Sequence, residues 1–266
     1  MEILSLLGYL GAIVIGIVLG LIGGGGSILT VPIFVYLLGI EPVMATAYSL
    51  FVVGSTALVG TLRNLPKKQV DVRTGVVFAI PALVAVYVTR KFLVPAIPEK
   101  LFELAGFTVT KDLGIMVFFA LIMLLAAFSM IRNKRKVVQE ESKVTFNYPL
   151  ILVEGALVGL LTGIVGAGGG FLIIPALVLL AKLPMKKAVA TSLMIIAVKS
   201  LIGFIGDVEN LNIEWNFLLI FTALSIGGIF IGIYLNKFID GKKLKSAFGW
   251  FVLLMGIYII YKEFSL

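Results

Sequence analysis

A chain of 266 residues that is 60% hydrophobic and only 14% charged, with a mean hydropathy of +1.14, is not composed like a soluble domain, which is nearer half apolar and a quarter charged. It contains no Cys and no His, which excludes disulfides, thiolate nucleophiles, imidazole bases and zinc sites. The net charge of +8 fits the basic cytoplasmic loops of a membrane protein, and without a Walker A pattern there is no sign of nucleotide hydrolysis. Neither nucleic acid, cofactor nor metal is expected.

Residues 4–22 predict a first helix of about 28 Å, enough to cross a bilayer. They carry Glu2 ahead of them in place of a basic n-region, so they read as mature structure and not as a signal peptide. Gly23 to Gly26 break that helix, because four consecutive glycines have too much backbone freedom to continue it. A short helix follows over 27–39, then a turn at Glu41-Pro42 and a helix over 43–62. The segment Arg63 to Arg73 is polar and basic. Helices are expected near 74–92, with Pro81 as a candidate kink, and near 112–131. Residues 132–147 form a basic linker. Beyond it come a helix at 148–166, a second glycine break, a short helix at 171–181, and helices near 186–205, 215–236 and 244–262.

The second half repeats the first at a constant offset. Gly20–Pro32, GLIGGGGSILTVP, returns as Gly163–Pro175, GIVGAGGGFLIIP. Ala45–Leu50, ATAYSL, falls on Ala188–Leu193, AVATSL. Pairing Pro32 with Pro175 gives 175 − 32 = 143 residues, and about 15 of the 45 pairs over 16–60 are identical. Apolar preference alone would not align Gly, Ser and Pro, so the chain is a duplicated unit. The expected fold is an all-α polytopic membrane protein with 8–10 membrane-embedded helices. Its two inverted repeats, 1–131 and 148–266, each carry a glycine-broken helix hairpin and are joined by the 132–147 linker. Five passes per copy place the basic loops inside, the linker in the cytoplasm and both termini outside. Only the outer loop around 90–112, with Arg90, Lys91, Lys100 and Lys111, fits poorly. An odd number of passes makes the copies run in opposite senses, the arrangement that brings paired broken helices together near the midplane of transporters.

The doubled G-x-x-G-x-G-G…P pattern, each copy followed by an A-x-A-x-S-L segment, resembles the TauE/SafE sulfite-exporter family of membrane permeases over nearly the whole chain. The resemblance implies export of small anions such as sulfite or organosulfonates.

The residues themselves carry an anion-binding chemistry. A glycine break frees backbone N–H groups at the start of the next helix, and with the helix dipole these attract an anion without a charged side chain. The candidate substrate-binding residues are Gly23, Gly24, Gly25, Gly26 and Ser27 at one tip and Gly166, Gly168, Gly169 and Gly170 at the other. The simpler reading of these glycines is close helix packing. Ser49 and Ser192 match across the copies, with Tyr48 and Thr191 beside them, and their hydroxyls can bind an oxyanion or bridge helices. Lys199, whose counterpart is Thr56, lies deep in a helix, where a charge is costly unless it faces a cavity or a partner. The alternative is that it snorkels outward toward Asp207. Glu154 is the one carboxylate inside an expected span, either a candidate for coupling to a proton or sodium ion or merely a residue near the inner interface, a few residues from Tyr148. Asp71 and Glu214, matched across the repeat, are expected to cap helix starts.

These readings lead to a secondary transporter exporting a small anion across the cell membrane, with the bilayer, a coupling ion and a homo-oligomer as expected partners. An anion channel of the same architecture stays open. An intramembrane enzyme using Ser192 and Lys199 is disfavoured, because a seven-residue separation sets them about 10 Å apart along the axis, beyond hydrogen-bond reach.

Overall fold

The computed structural model describes residues 2–24, 26–104, 107–132, 148–166, 168–179, 181, 183–239 and 241–265. The expected linker, apart from Arg132, and the candidate residue Gly25 lie outside them. Among the described residues, ten helices follow the expected order. In the first half these are α1 (Glu2–Ile22), α2 (Gly26–Leu37), α3 (Pro42–Asn64), α4 (Val72–Ala96) and α5 (Lys111–Arg132). In the second they are α6 (Tyr148–Val165), α7 (Gly170–Leu179), α8 (Met185–Val208), α9 (Trp215–Asn236) and α10 (Gly241–Ser265).

Among the described residues, α3, α4, α5, α8 and α9 contain stretches long and apolar enough to cross a membrane, and α1, α2 and α6 hold shorter apolar ones. Large apolar side chains face outward, Leu125 at 72% and Leu254 at 63% exposed, which water would penalise and lipid does not. The chain is a multi-pass membrane protein. The short α2 and α7, roughly 18 and 15 Å long, cannot cross alone.

The centre is made by α3 and α8. Buried residues make up 67% and 72% of their apolar stretches, against 39–44% for α4, α5 and α9. The two run antiparallel: a Cβ built on Gly54 falls 3.0 Å from the Leu201 side chain, one on Gly60 falls 3.1 Å from Leu193, and one on Gly203 falls 3.4 Å from Leu50. Flanking them, α1 packs parallel to α9, with Gly16 against Ser225 and Gly20 against Ile229 and Gly232. Likewise α6 packs parallel to α4, with Gly155 against Phe78 and Gly159 against Ala82. These are small-residue contacts of the kind that let membrane helices approach backbone to backbone. Further pairings join α5 with α10, α4 with α8 and α3 with α9. Exchanging each helix for its counterpart in the other half maps this packing onto itself.

Two hydrogen bonds obey the same exchange. The Asp71 N–H donates to Thr191 Oγ1 at 2.9 Å, and the Glu214 N–H donates to Tyr48 Oη at 2.8 Å. The hydroxyls beside Ser49 and Ser192 therefore tie the helix starts of the opposite half. Asp71 caps α4 by accepting from the Thr74 N–H at 2.9 Å, as expected, whereas the Glu214 side chain makes no cap hydrogen bond.

The structure departs from expectation after α4. That helix does not stop near residue 92. It continues to Ala96 through a π-helical turn at Thr89–Leu93, and a β-hairpin, β1 (Lys100–Leu104) with β2 (Phe107–Thr110), fills the link to α5. The first copy has its extra residues here.

Candidate functional site

Each glycine break opens with a glycine in a left-handed backbone, and Gly168 and Gly169 share that conformation in the second. Gly23 has φ +77° and its counterpart Gly166 has φ +69°, a conformation costly for a residue with a Cβ. These turns aim α2 and α7 at each other, and the tips touch: a Cβ on Gly24 would fall 2.2 Å from the Gly170 Cα, and one on Gly170 would fall 2.1 Å from the Gly24 Cα. A Cβ on Gly168 would meet the Ser27 Cβ at 3.2 Å, and one on Gly23 would meet Ser192 Oγ at 2.8 Å. Candidate residues from both halves are thus one cluster. Gly26 faces away from it, packing on the α1 backbone at Ile15 and Leu19.

Lys199 joins the cluster from α8. It is fully buried, its Nζ donates to Thr162 Oγ1 at 2.6 Å, and a Cβ on Gly169 would lie 3.0 Å from the same Nζ. It does not snorkel to Asp207, which is engaged elsewhere. An ammonium has three donors, and Thr162 is its hydrogen-bond partner among the described residues.

The serines differ from one another. Ser27 Oγ donates to Gly24 O at 2.6 Å and Ser192 Oγ to Val189 O at 2.8 Å. Ser49 Oγ is buried with no hydrogen-bond partner among the described residues. Because Ser192 bonds to Val189 and Lys199 to Thr162, the two do not form a nucleophile–base pair. Glu154 stands apart: it is half-buried and lines an apolar groove of about 300 Å³ with Leu157, Leu161, Leu172 and Pro175.

Glu154 is also not the only carboxylate within the spans. Asp207, expected in an outer loop, is buried in the last turn of α8, and Arg90 Nε donates to its Oδ2 at 2.7 Å. Arg90, expected at the edge of an outer loop, is fully buried. Its Nη1 also donates to Thr46 Oγ1 at 3.0 Å and to Gly163 O at 3.2 Å. The π-helical turn carries it inward. A signal for this was present: the offset of 143 sets Arg90 on Ile233, in the interior of an apolar helix.

The sulfite exporter TauE/SafE family model matches residues 8–259. The chain belongs to that family. A "Probable membrane transporter protein" of Xylella fastidiosa (strain 9a5c) is 26% identical over 256 residues, covering 94% of this chain and 93% of the relative. "Probable membrane transporter protein YunE" of Bacillus subtilis (strain 168) is 28% identical over 269 residues, covering 94% and 96%. "Probable membrane transporter protein YdhB" of the same bacterium is 32% identical over 117 residues, 44% of this chain and 48% of its own. No solved structure matches the chain.

Proposed function

We propose that this membrane transporter is a secondary carrier that exports small oxyanions of the sulfite and organosulfonate class. The observation that carries the reading is Lys199, a buried cation donor set against the meeting point of two glycine-broken helix tips. The anion binds where the tips part, between the first N–H groups of α2 and α7, which have no intrahelical acceptors. Lys199 supplies the fixed positive charge, and the unpartnered Ser49 hydroxyl is a further donor. The family's description supports the substrate class.

The two copies run through the bilayer in opposite senses. Antiparallel packing of the matched helices α3 and α8 supports this, as does the exchange symmetry of the packing. With basic loops inside, the Arg63–Arg73 end of α3 faces the cytoplasm and the Arg90–Asp207 pair faces out. A pair that closes one end favours alternating access over a continuous pore. The test is efflux from proteoliposomes loaded in turn with sulfite, thiosulfate, an alkylsulfonate and a carboxylate. Saturable efflux of the sulfur oxyanions is expected, and efflux of none of them would refute the assignment.

A further inference from the structure

At the far end of α8 from Arg90 and Asp207, the structure holds a polar cavity of about 160 Å³. Lys67, Lys186 and Lys237 line it together with Asn64, Gln69 and Asn236, and none of its lining residues is acidic among the described residues. Each lysine comes from a different connection, following α3, opening α8 and following α9, so the cavity exists only when both halves are assembled.

Its position is what gives it meaning. The cavity is lined by Gly20, Asn64, Val189 and Ile233, and adding or subtracting 143 turns these into Gly163, Asp207, Thr46 and Arg90. Those four residues are the Arg90 cluster. The same place is therefore built twice, once at each end of the paired α3 and α8. At one end Arg90 fills it and bonds to the other three. At the other, Ile233 cannot make those bonds and the space stays open to three ammonium groups. Val189 and Asp207 are 18 residues apart on α8, about 27 Å, close to the thickness of a bilayer's hydrocarbon core. Inward from the cavity, a Cβ on Gly23 would fall 2.6 Å from Val189 O, so the cavity abuts the first glycine break.

We propose that this three-lysine cavity is a binding vestibule for a small inorganic oxyanion or sulfonate, through which substrate reaches the glycine tips from the open face. This rests on the transport reading above and adds where the anion is first captured. The volume is at least about five times that of a liquid water molecule, room for one tetrahedral oxyanion together with a few waters. Three like charges around one space attract anions and repel cations, and in a cleft such a field raises the local anion concentration.

The absence of native cysteine gives a test that does not depend on transport. Gln69→Cys places a single thiol in the cavity with all three lysines retained. An anionic methanethiosulfonate bearing a sulfonate and a cationic one bearing a trimethylammonium are compared on purified protein, each rate divided by its rate with a free thiol. The anionic reagent is expected to react about tenfold faster, and sodium sulfate should slow it more than sodium chloride at equal ionic strength. In a Lys67→Gln/Lys186→Gln/Lys237→Gln background both effects should vanish. Equal normalised rates, or a preference that survives loss of the three lysines, would overturn the proposal. If the preference holds while proteoliposomes carry no oxyanion, the vestibule stands and the transport reading falls. If oxyanion flux is present without the preference, the vestibule falls and the transport reading stands.

Discussion

Lys199 Nζ lies 2.6 Å from Thr162 Oγ1, in hydrogen-bond contact across α8 and α6 with both residues fully buried. A hydroxyl is an adequate partner for a buried ammonium but brings no opposing charge; in the proposed function a bound anion supplies that charge. Isolated charges within membrane spans are expensive and concentrate where substrates or ions pass.

Lys199→Met keeps the side-chain length and removes that charge. Folding should survive. The affinity for a bound sulfur oxyanion should fall by about 1–3 kcal/mol, the worth of a charge-assisted hydrogen bond. Thr162→Val should weaken binding less, because it removes the hydroxyl that positions the ammonium and leaves the ammonium itself. Titration of each variant in detergent separates the two effects.

Arg90 and Asp207 offer a contrast, a buried pair whose charges compensate each other. Removing one partner leaves the other uncompensated, so Arg90→Met or Asp207→Leu should cost roughly 3–5 kcal/mol of stability. The double variant Arg90→Met/Asp207→Leu should recover much of that loss. Thermal unfolding of the purified variants measures it, and additive losses in the double variant would mean that the pair is not coupled.

Glycine substitutions should divide by location. Gly170→Val puts side-chain atoms onto the Gly24 backbone and Gly168→Val adds a strained left-handed residue at φ +61°, so both should abolish flux. Gly227→Ala meets open space and removes a helix-interior glycine, so flux should be retained and stability should rise by about 0.5–1 kcal/mol. Paired flux and unfolding measurements distinguish the two classes.

Lys67 should make transport sensitive to alkaline pH. Burial, then the neighbouring charges of Arg63 and Lys237, lower its pKa below the ordinary lysine value. The proton is therefore lost as pH rises through a value below that of a free lysine, and one vestibule charge goes with it. For a sulfonate, whose own charge does not change, KM should rise over the alkaline range. Lys67→Gln should flatten that profile.

Much of this architecture is legible in the residues. Gly, Ser and Pro at a constant offset mark breaks that apolar content alone would blur, and that is why ten helices and the paired tips can be read from the chain. Lys199 is legible for a similar reason: a lone charge in an apolar run needs a local cause. Thr162 carries no such signal, since a threonine facing a lysine on another helix looks like any other threonine and its repeat counterpart is Leu19. Arg90 misleads because a basic residue after an apolar run resembles a loop start, and only the π-helical turn directs it inward. The 100–110 hairpin has no counterpart in the second copy, so the repeat could not predict it.

Anion binding at the glycine tips beside Lys199 is the point on which the transport mechanism turns. Equilibrium binding of sulfite to purified wild-type and Lys199→Met protein addresses it without recourse to flux. Saturable binding is expected for the wild type, with a loss of about 5- to 150-fold in the variant, the equivalent of 1–3 kcal/mol. Sulfite bound with wild-type affinity by a folded Lys199→Met protein would contradict it.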